Sequence, residues 1–493
     1  MVSNTQGIIL TLNKAASHIA GFDEILYGGL PEGRTTLIEG SPGTGKSILG
    51  LEFLYRGALA GQPGIFVAFE ERASAVRRNA LTLGWDLEAL EKAGRLAIIE
   101  ARLDPEPVIS GDFNLKGLLA IIDGQSKTIG ARRIVFDALD VLIRLYNDPA
   151  RERGEMYFLH EWLLDHEMTA ILTMKLSGGN TVISKYEFLE FMADCVIRLI
   201  QRPGEWVATR ELQVIKSRGS DFGRNGYPFV IQPGGIRVIP ISEFSLQHQP
   251  LGPHISSGNA RLDEILGGGF RSGSSILIAG STGTGKTTIA NTFVKAACDR
   301  NEKVLYLGFE ESEDAMVTNM LSPGIDVRPA IKAGLLKVVT AMPEAFGTEK
   351  HLVRTFTTIE EFNPVHVIVD AISSFERMGS GRAAYEFAMR LVNWSKDRGI
   401  TLIMTNQSPG GADDREAITG LGISSIIDTL LWVSFVEKKD RLKRRLLRRL
   451  LVIKTRGSKN SNQFHDFLIT DHGIEIAEES AGDGSQPSEK DNK

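Results

Sequence analysis

GFDEILYGGLPEGRTTLIEGSPGTGKS at residues 21–47 and RLDEILGGGFRSGSSILIAGSTGTGKT at residues 261–287 are two copies of one segment. Asp23 and Asp263, Lys46 and Lys286, and Glu70 and Glu310 all stand 240 apart, so the match runs without a gap over at least 48 positions. Later landmarks drift only slightly: Asp137 to Asp370 spans 233 and Arg218 to Arg456 spans 238. Solenoid repeats recur every ~20–50 residues, so a period this long means tandem domains. The 493-residue length agrees, being about three times a usual domain of roughly 150.

Around the quoted stretch the chain alternates short β-branched runs with longer segments of helical spacing. In the first copy the strand candidates are TTLIEG, GIFVAFE, LAIIEA, RIVFDA and TAILTMK, and SILGLEFLYRGALA has helical spacing. Continuous apolar runs belong to strands covered on both faces, which predicts a mainly parallel α/β sheet flanked by helices. WVATRELQVIKSRG and LRRLLVIKTRG, near the end of each copy, predict an antiparallel extension. The expected domains are 1–245 and 246–476, joined near 240–256 where Pro, Gly, Ser and Gln gather, with a flexible acidic tail at 477–493.

Composition excludes several classes. With 42% hydrophobic and 24% charged residues the chain is globular rather than fibrous or disordered, and a net charge of −5 gives no overall polycationic bias toward nucleic acid. Its two cysteines, Cys195 and Cys298, have no disulfide or zinc spacing and read as buried small hydrophobes. The amino terminus, MVSNTQGIILTLNK, lacks the pattern of a secretory leader, and no stretch approaches the roughly 20 apolar residues of a membrane span. A soluble, cytoplasmic protein with no membrane partner is expected.

Gly40 to Ser47 and Gly280 to Thr287 both satisfy GxxxxGK[ST], each between an expected strand and an expected helix. Such a loop wraps backbone N–H groups around phosphate oxygens, sends its Lys to the β/γ-phosphates, and offers its Ser or Thr hydroxyl to Mg²⁺. The next strands end in VAFEER and LGFEES, which puts Glu70, Glu71, Glu310 and Glu311 at the carboxyl edge of the sheet. A carboxylate there can deprotonate a water or hydroxyl attacking the γ-phosphate, with Glu70 and Glu310 as bases and Glu71 and Glu311 in support. Recurrence in both copies favours this over a merely solvated strand end. RIVFD and VIVD end in Asp137 and Asp370, where an acidic residue holds Mg²⁺ through water. Asp140 reads as a surface residue, and Thr173, Thr405 and Asn406 as γ-phosphate sensors or, equally, edge caps. Lys216 with Arg218, and Lys454 with Arg456, recur as cation pairs on one strand face. Paired cations suit a phosphate gaining charge in the transition state, and from a neighbouring subunit they would make a ring.

These residues resemble the KaiC family of circadian clock proteins, double-domain RecA-like P-loop ATPases, and the likeness covers roughly residues 15–476. Its specific phrases are the paired phosphate loops, FEE at both strand ends, GWDL (84–87), EKAGRL (91–96), KSRG with YPF (227–229), and KTRG. The resemblance implies two tandem RecA-like domains, ATP and Mg²⁺ as cofactors, a homohexamer of two stacked rings with ATP between subunits, hydrolysis in the first ring, and autokinase and autophosphatase chemistry in the second. The implied nucleotide contacts are Gly43, Thr44, Gly45, Lys46, Ser47, Thr82, Lys216, Ser217, Arg218 and Ser220 in the first copy. In the second they are Gly283, Thr284, Gly285, Lys286, Thr287, Thr288, Arg448, Lys454, Thr455 and Arg456. Ser47 and Asp137, and Thr287, Glu310 and Asp370, would serve the metal. Family phosphoacceptors are adjacent hydroxyls shortly before an Asp-Thr. Ser424 and Ser425 before Asp428-Thr429 fit, with Thr419 a third hydroxyl nearby, whereas the first copy has Glu190 to Cys195 there and offers no acceptor.

The chain departs from the family pattern in three places. The basic run 438–449 reads as a hairpin at a subunit interface with an arginine near the neighbour's phosphates, or alternatively as a nucleic-acid contact. Pro323 stands where an aromatic residue beside the base is common, and the short tail gives no expectation of a KaiA partner. A KaiB-like partner on the first ring is expected. The competing class is a RecA-type DNA-dependent motor, for which no stripe of aromatic and basic residues is evident elsewhere in the chain.

Overall fold

The computed structural model describes residues 13–101, 115–144, 146, 148–176, 187–202, 209–240, 249–378, 381–408, 422–440 and 443–477. Thr419, the segment 241–248 and residues 478–493 lie outside the described residues, as do the side chains of 438–445. The chain divides into two compact units, Met1–Glu243 and Phe244–Lys493.

In the first unit nine strands form one sheet: β1 (Thr35–Gly40), β2 (Gly64–Ala68), β3 (Leu96–Glu100), β4 (Arg133–Asp137), β5 (Thr169–Lys175), β6 (Cys195–Arg202), β7 (Thr209–Ser217), β8 (Gly226–Gln232) and β9 (Gly235–Val238). Their order is β9-β8-β7-β6-β1-β5-β4-β2-β3. From β6 to β3 the neighbours run parallel, and β6 to β9 form the antiparallel extension. The apolar runs of the sequence are these inner strands, and every residue of β1 and β2 is buried. Alternation sends Ile38 to one face, with Leu54, Phe66 and Ile197, and Leu37 to the other, with Ile134, Leu119 and Leu159. Both faces are therefore covered by helices. Helix α1 (Lys46–Leu59) lies on the first face, and truncating its buried Phe53 to Ala would cost about 3–5 kcal/mol.

The second unit repeats this plan with β10 (Ser275–Gly280), β11 (Val304–Gly308), β12 (Leu336–Thr340), β13 (His366–Asp370), β14 (Thr401–Gln407), β15 (Thr429–Asp440), β16 (Lys443–Thr455), β17 (His465–Thr470) and β18 (Gly473–Ile476). The order is β12-β11-β13-β14-β10-β15-β16-β17-β18, parallel from β12 to β15 and antiparallel beyond. Helix α2 (Lys286–Asp299) takes the place of α1, packing Phe293 and Val294 against Ile278 and Ile368. Both cysteines are buried, and burial pushes the Cys195 thiol up to about 12, so it behaves as the expected hydrophobe. Among the described residues no helix is long and apolar enough to cross a membrane.

Candidate active site

Both phosphate loops connect the end of a central strand to a helix, as their spacing predicts. Gly45 and Gly285 sit at the helix N-caps with φ of 105° and 103°, a left-handed conformation that a side chain strains against. A Cβ on Gly45 would also stand 2.8 Å from Ile231 Cδ1. The hydroxyls of Thr44 and Thr284 each donate to the carbonyl of the Ser three residues before, at 2.8 Å, which closes the loop. Lys46 Nζ donates to the Gly40 and Ser41 carbonyls at 2.8 and 3.0 Å, and Lys286 Nζ to Ser281 O at 2.9 Å. Burial lowers the pKa of both lysines, while Asp137, Asp140 and Glu70 pull Lys46 back up and Asp370 and Glu310 do so for Lys286.

Asp137 and Asp370 end β4 and β13 beside these lysines, each followed by a cis peptide bond. Burial raises the Asp137 carboxyl, and hydrogen bonds from Thr173 and Ser47 work against that rise. Thr173 and Thr405 both donate to their acidic neighbours, Asp137 Oδ1 and Asp370 Oδ1. Asp140 corrects an expectation. It is buried, because the short helix Leu139–Ile143 turns it under the end of β5, where it accepts from Arg144 Nη2 at 3.0 Å and Lys175 N at 3.3 Å.

The four glutamates at the strand ends are exposed. Glu71 and Glu311 accept from Asn79 and Asn319 at 3.2 and 3.0 Å, while Glu70 and Glu310 are the members whose charge acts on Lys46 and Lys286. Glu310 Oε1 accepts from Ser374 Oγ at 3.1 Å, a contact the sequence did not announce. A cavity of about 320 Å³ opens beside the first loop, lined by Ser47, Thr82, Leu83, Glu71, Phe66 and Asp137 among others. Thr82 is thus brought to the site. Thr288 is buried in the first turn of α2. Arg448 Nε donates to Gly283 O at 3.2 Å, so this arginine of the basic run stands at its own unit's loop.

A divalent ion fits the chemistry of this edge. Ser47 and the half-buried Asp137 are hard oxygen donors lining one cavity, and among the described residues no group of three or more His, Cys, Asp or Glu is arranged to hold a metal ion by itself. Mg²⁺, which keeps waters and takes phosphate oxygens rather than a full protein cage, suits such a donor set.

The recurring cations stand at the opposite strand edge. Ser217 pairs in register with Cys195, and Cys195 with Thr36, four residues or about 13 Å before Gly40. Lys216 Nζ donates to Glu190 O and Ala193 O at 2.7 Å each, and Arg218 Nη2 to Phe191 O at 2.6 Å. Ser220 bonds the next carbonyl, Asp221 O, at 2.8 Å. In the second unit Lys454 Nζ donates to Ser424 O and Ile427 O at 3.0 and 2.8 Å, and Arg456 Nη2 to Ser425 O at 2.7 Å. Thr455 pairs with Thr429 at the start of β15. Ser424 and Ser425 are exposed in the short turn Ile423–Ser425. Beneath them Asp428 forms a buried 2.9 Å ion pair with Lys396 and accepts from Ser275 N and Oγ, contacts that sequence spacing could not reveal.

Two units, each with a phosphate loop, strand-end glutamates and a strand-end aspartate at one sheet edge, define a tandem P-loop ATPase. The profile of the family described as "ATPase: KaiC" matches residues 15–243 and again 255–481. The circadian clock protein KaiC2 of Synechocystis sp. is 36% identical over 98% of this chain and 84% of its own. The circadian clock oscillator protein KaiC of Synechococcus elongatus is 34% identical over 94% of this chain and 89% of its own. KaiC3 of Synechocystis sp. is 34% identical over 94% and 92%. The chain belongs to the KaiC family of ATPases, and the DNA-motor alternative is not favoured.

Proposed function

We propose that this KaiC-family ATPase works as a Mg²⁺-ATP-dependent homohexamer in circadian timing or stress signalling, whose second unit phosphorylates and dephosphorylates Ser424 and Ser425 across subunit boundaries. The reading rests on one observation: Ser424, Ser425, Lys454 and Arg456 lie at the strand edge opposite Lys286 and Glu310 of the same unit. Neither serine can meet its own chain's γ-phosphate from there, whereas a neighbour in a head-to-tail ring brings the two edges together.

Glu310 of one subunit accepts the proton as a serine Oγ of the next attacks the γ-phosphorus; the Oγ–P bond forms, the bond to the β-phosphate oxygen breaks, and ADP leaves. Lys454 and Arg456, held by the carbonyls of the acceptor serines themselves, face the charge that spreads over the transferred group. Thr287, Asp370 and Glu310, and Ser47 and Asp137 in the first unit, are the residues that would hold Mg²⁺, which offsets charge on the β- and γ-oxygens. Glu70 and Glu71 direct water in the first unit, which has no serine pair in the corresponding turn. A KaiB-like protein is the expected partner of that unit. No KaiA-type partner, membrane or nucleic acid is implied.

Intact-mass analysis after incubation with Mg²⁺-ATP tests this directly. Phosphate should add, map to residues 415–429, vanish in Ser424→Ala/Ser425→Ala while most ATP hydrolysis survives, and vanish in Glu310→Gln. Full incorporation in the double-alanine protein would leave only a tandem ATPase.

A further inference from the structure

The two copies differ where their magnesium acids are anchored. In the second unit Tyr306, buried on β11, donates from its hydroxyl to Asp370 Oδ2 at 2.7 Å, while Thr405 holds Oδ1. On α2 the buried Asn291 side chain donates to Thr287 O at 3.0 Å in the first turn. In the first unit the positions 240 residues earlier are Leu51 and Phe66, both apolar lining of the cavity beside Asp137. Asp137 is held by Thr173, the counterpart of Thr405, and has no tyrosine beside it at that position.

Burying a phenol where the sister copy buries Phe is unfavourable unless the phenol is hydrogen-bonded, and the bond it makes goes to Asp370. We infer that Tyr306 is a positioning residue of the second unit's Mg²⁺ site, fixing the Asp370 carboxylate so that its remaining lone pairs meet the ion's water shell in one orientation. This rests on the reading that Asp370 serves the metal. The phenol takes up one carboxylate oxygen from behind. The first unit has Phe66 at this position and lacks the anchor.

The test is equilibrium binding of Mn²⁺ to the full-length protein with a non-hydrolysable ATP analogue, read by the electron paramagnetic resonance of free Mn²⁺. Wild type should show two classes of site per chain, one of them lost in Asp370→Asn. Tyr306→Phe should weaken that class by about 3–10-fold and leave the other unchanged, outer-shell partners carrying effects of this order or larger. Phe66→Tyr should tighten the other class. It supplies the answer even if Tyr306→Phe fails to fold. Two classes that respond to Asp370→Asn but to neither tyrosine exchange would overturn the inference about Tyr306 alone. No class sensitive to Asp370→Asn would instead overturn the metal reading beneath it.

Discussion

Asp428 carries more than its neighbours in the turn before β15. Burial by itself would raise its carboxyl, but the Ser275 amide, the Lys396 ammonium and the Ser275 hydroxyl together hold it below its ordinary 3.8. A carboxyl depressed in the folded state contributes stability that is whole above its unfolded pKa and is lost as pH falls through the folded one. The second unit should therefore lose stability below about pH 4, and urea midpoints from pH 6 to pH 3 should show the loss flattened in Asp428→Asn. At neutral pH that variant strands Lys396, whose side chain is 10% exposed, and should cost about 3 kcal/mol. Adding Lys396→Met should recover most of it, and an unchanged midpoint in the single variant would refute the argument. At the other edge, Glu70→Gln with Glu71→Gln should remove most ATP turnover while a fluorescent nucleotide still binds, because the phosphate loop is untouched. Turnover that persists would assign the principal hydrolysis to the second unit.

At the scale of elements, loop and helix are committed together. Gly45 and Gly285 turn the chain into α1 and α2 at left-handed φ, and Ile231 or Ile469 stands within 3 Å of any added Cβ. Gly45→Ala should weaken nucleotide binding at the first site by about tenfold, the strain of an L-residue there being ~1–2 kcal/mol. Titration with a fluorescent ATP analogue, in parallel with Gly285→Ala, measures each loop. These loops were legible in the sequence because the motif is local, eight residues that set backbone, cation and hydroxyl at once. The strands were legible for a related reason, since a sheet covered on both faces writes runs such as TTLIEG and RIVFD. What escaped depends on register across long separations. Asp428 meets Ser275 from 153 positions away, and Tyr306 meets Asp370 from 64. Tyr306 nevertheless left a trace in the repeat, as the one-letter difference from Phe66. Asp140 was misread because polarity alone cannot tell that a short helix will turn a carboxylate inward.

At the scale of the whole molecule, each unit has a nucleotide edge and a cation edge separated by the length of its central strands. If Lys216, Arg218, Lys454 and Arg456 serve a neighbour's ATP, nucleotide should promote hexamers and an isolated protomer should turn over poorly. Light scattering after size exclusion, with turnover measured on the same fractions, decides this, and a monomer with full activity would rule out the shared site. In a ring built on that shared site the separation of the two edges would give a sense of direction, and direction has arithmetic. A chain damaged only at its cation edge spoils the junction on one side and leaves the other intact. Blended with wild type, either lesion alone should lower output in simple proportion to the damaged fraction. When chains with a ruined cation edge are blended equally with chains ruined only at Glu310, one junction in four pairs two sound edges, so about a quarter of the labelling should return. Parents that are each dead would together give a partly living population, with a ceiling set by counting.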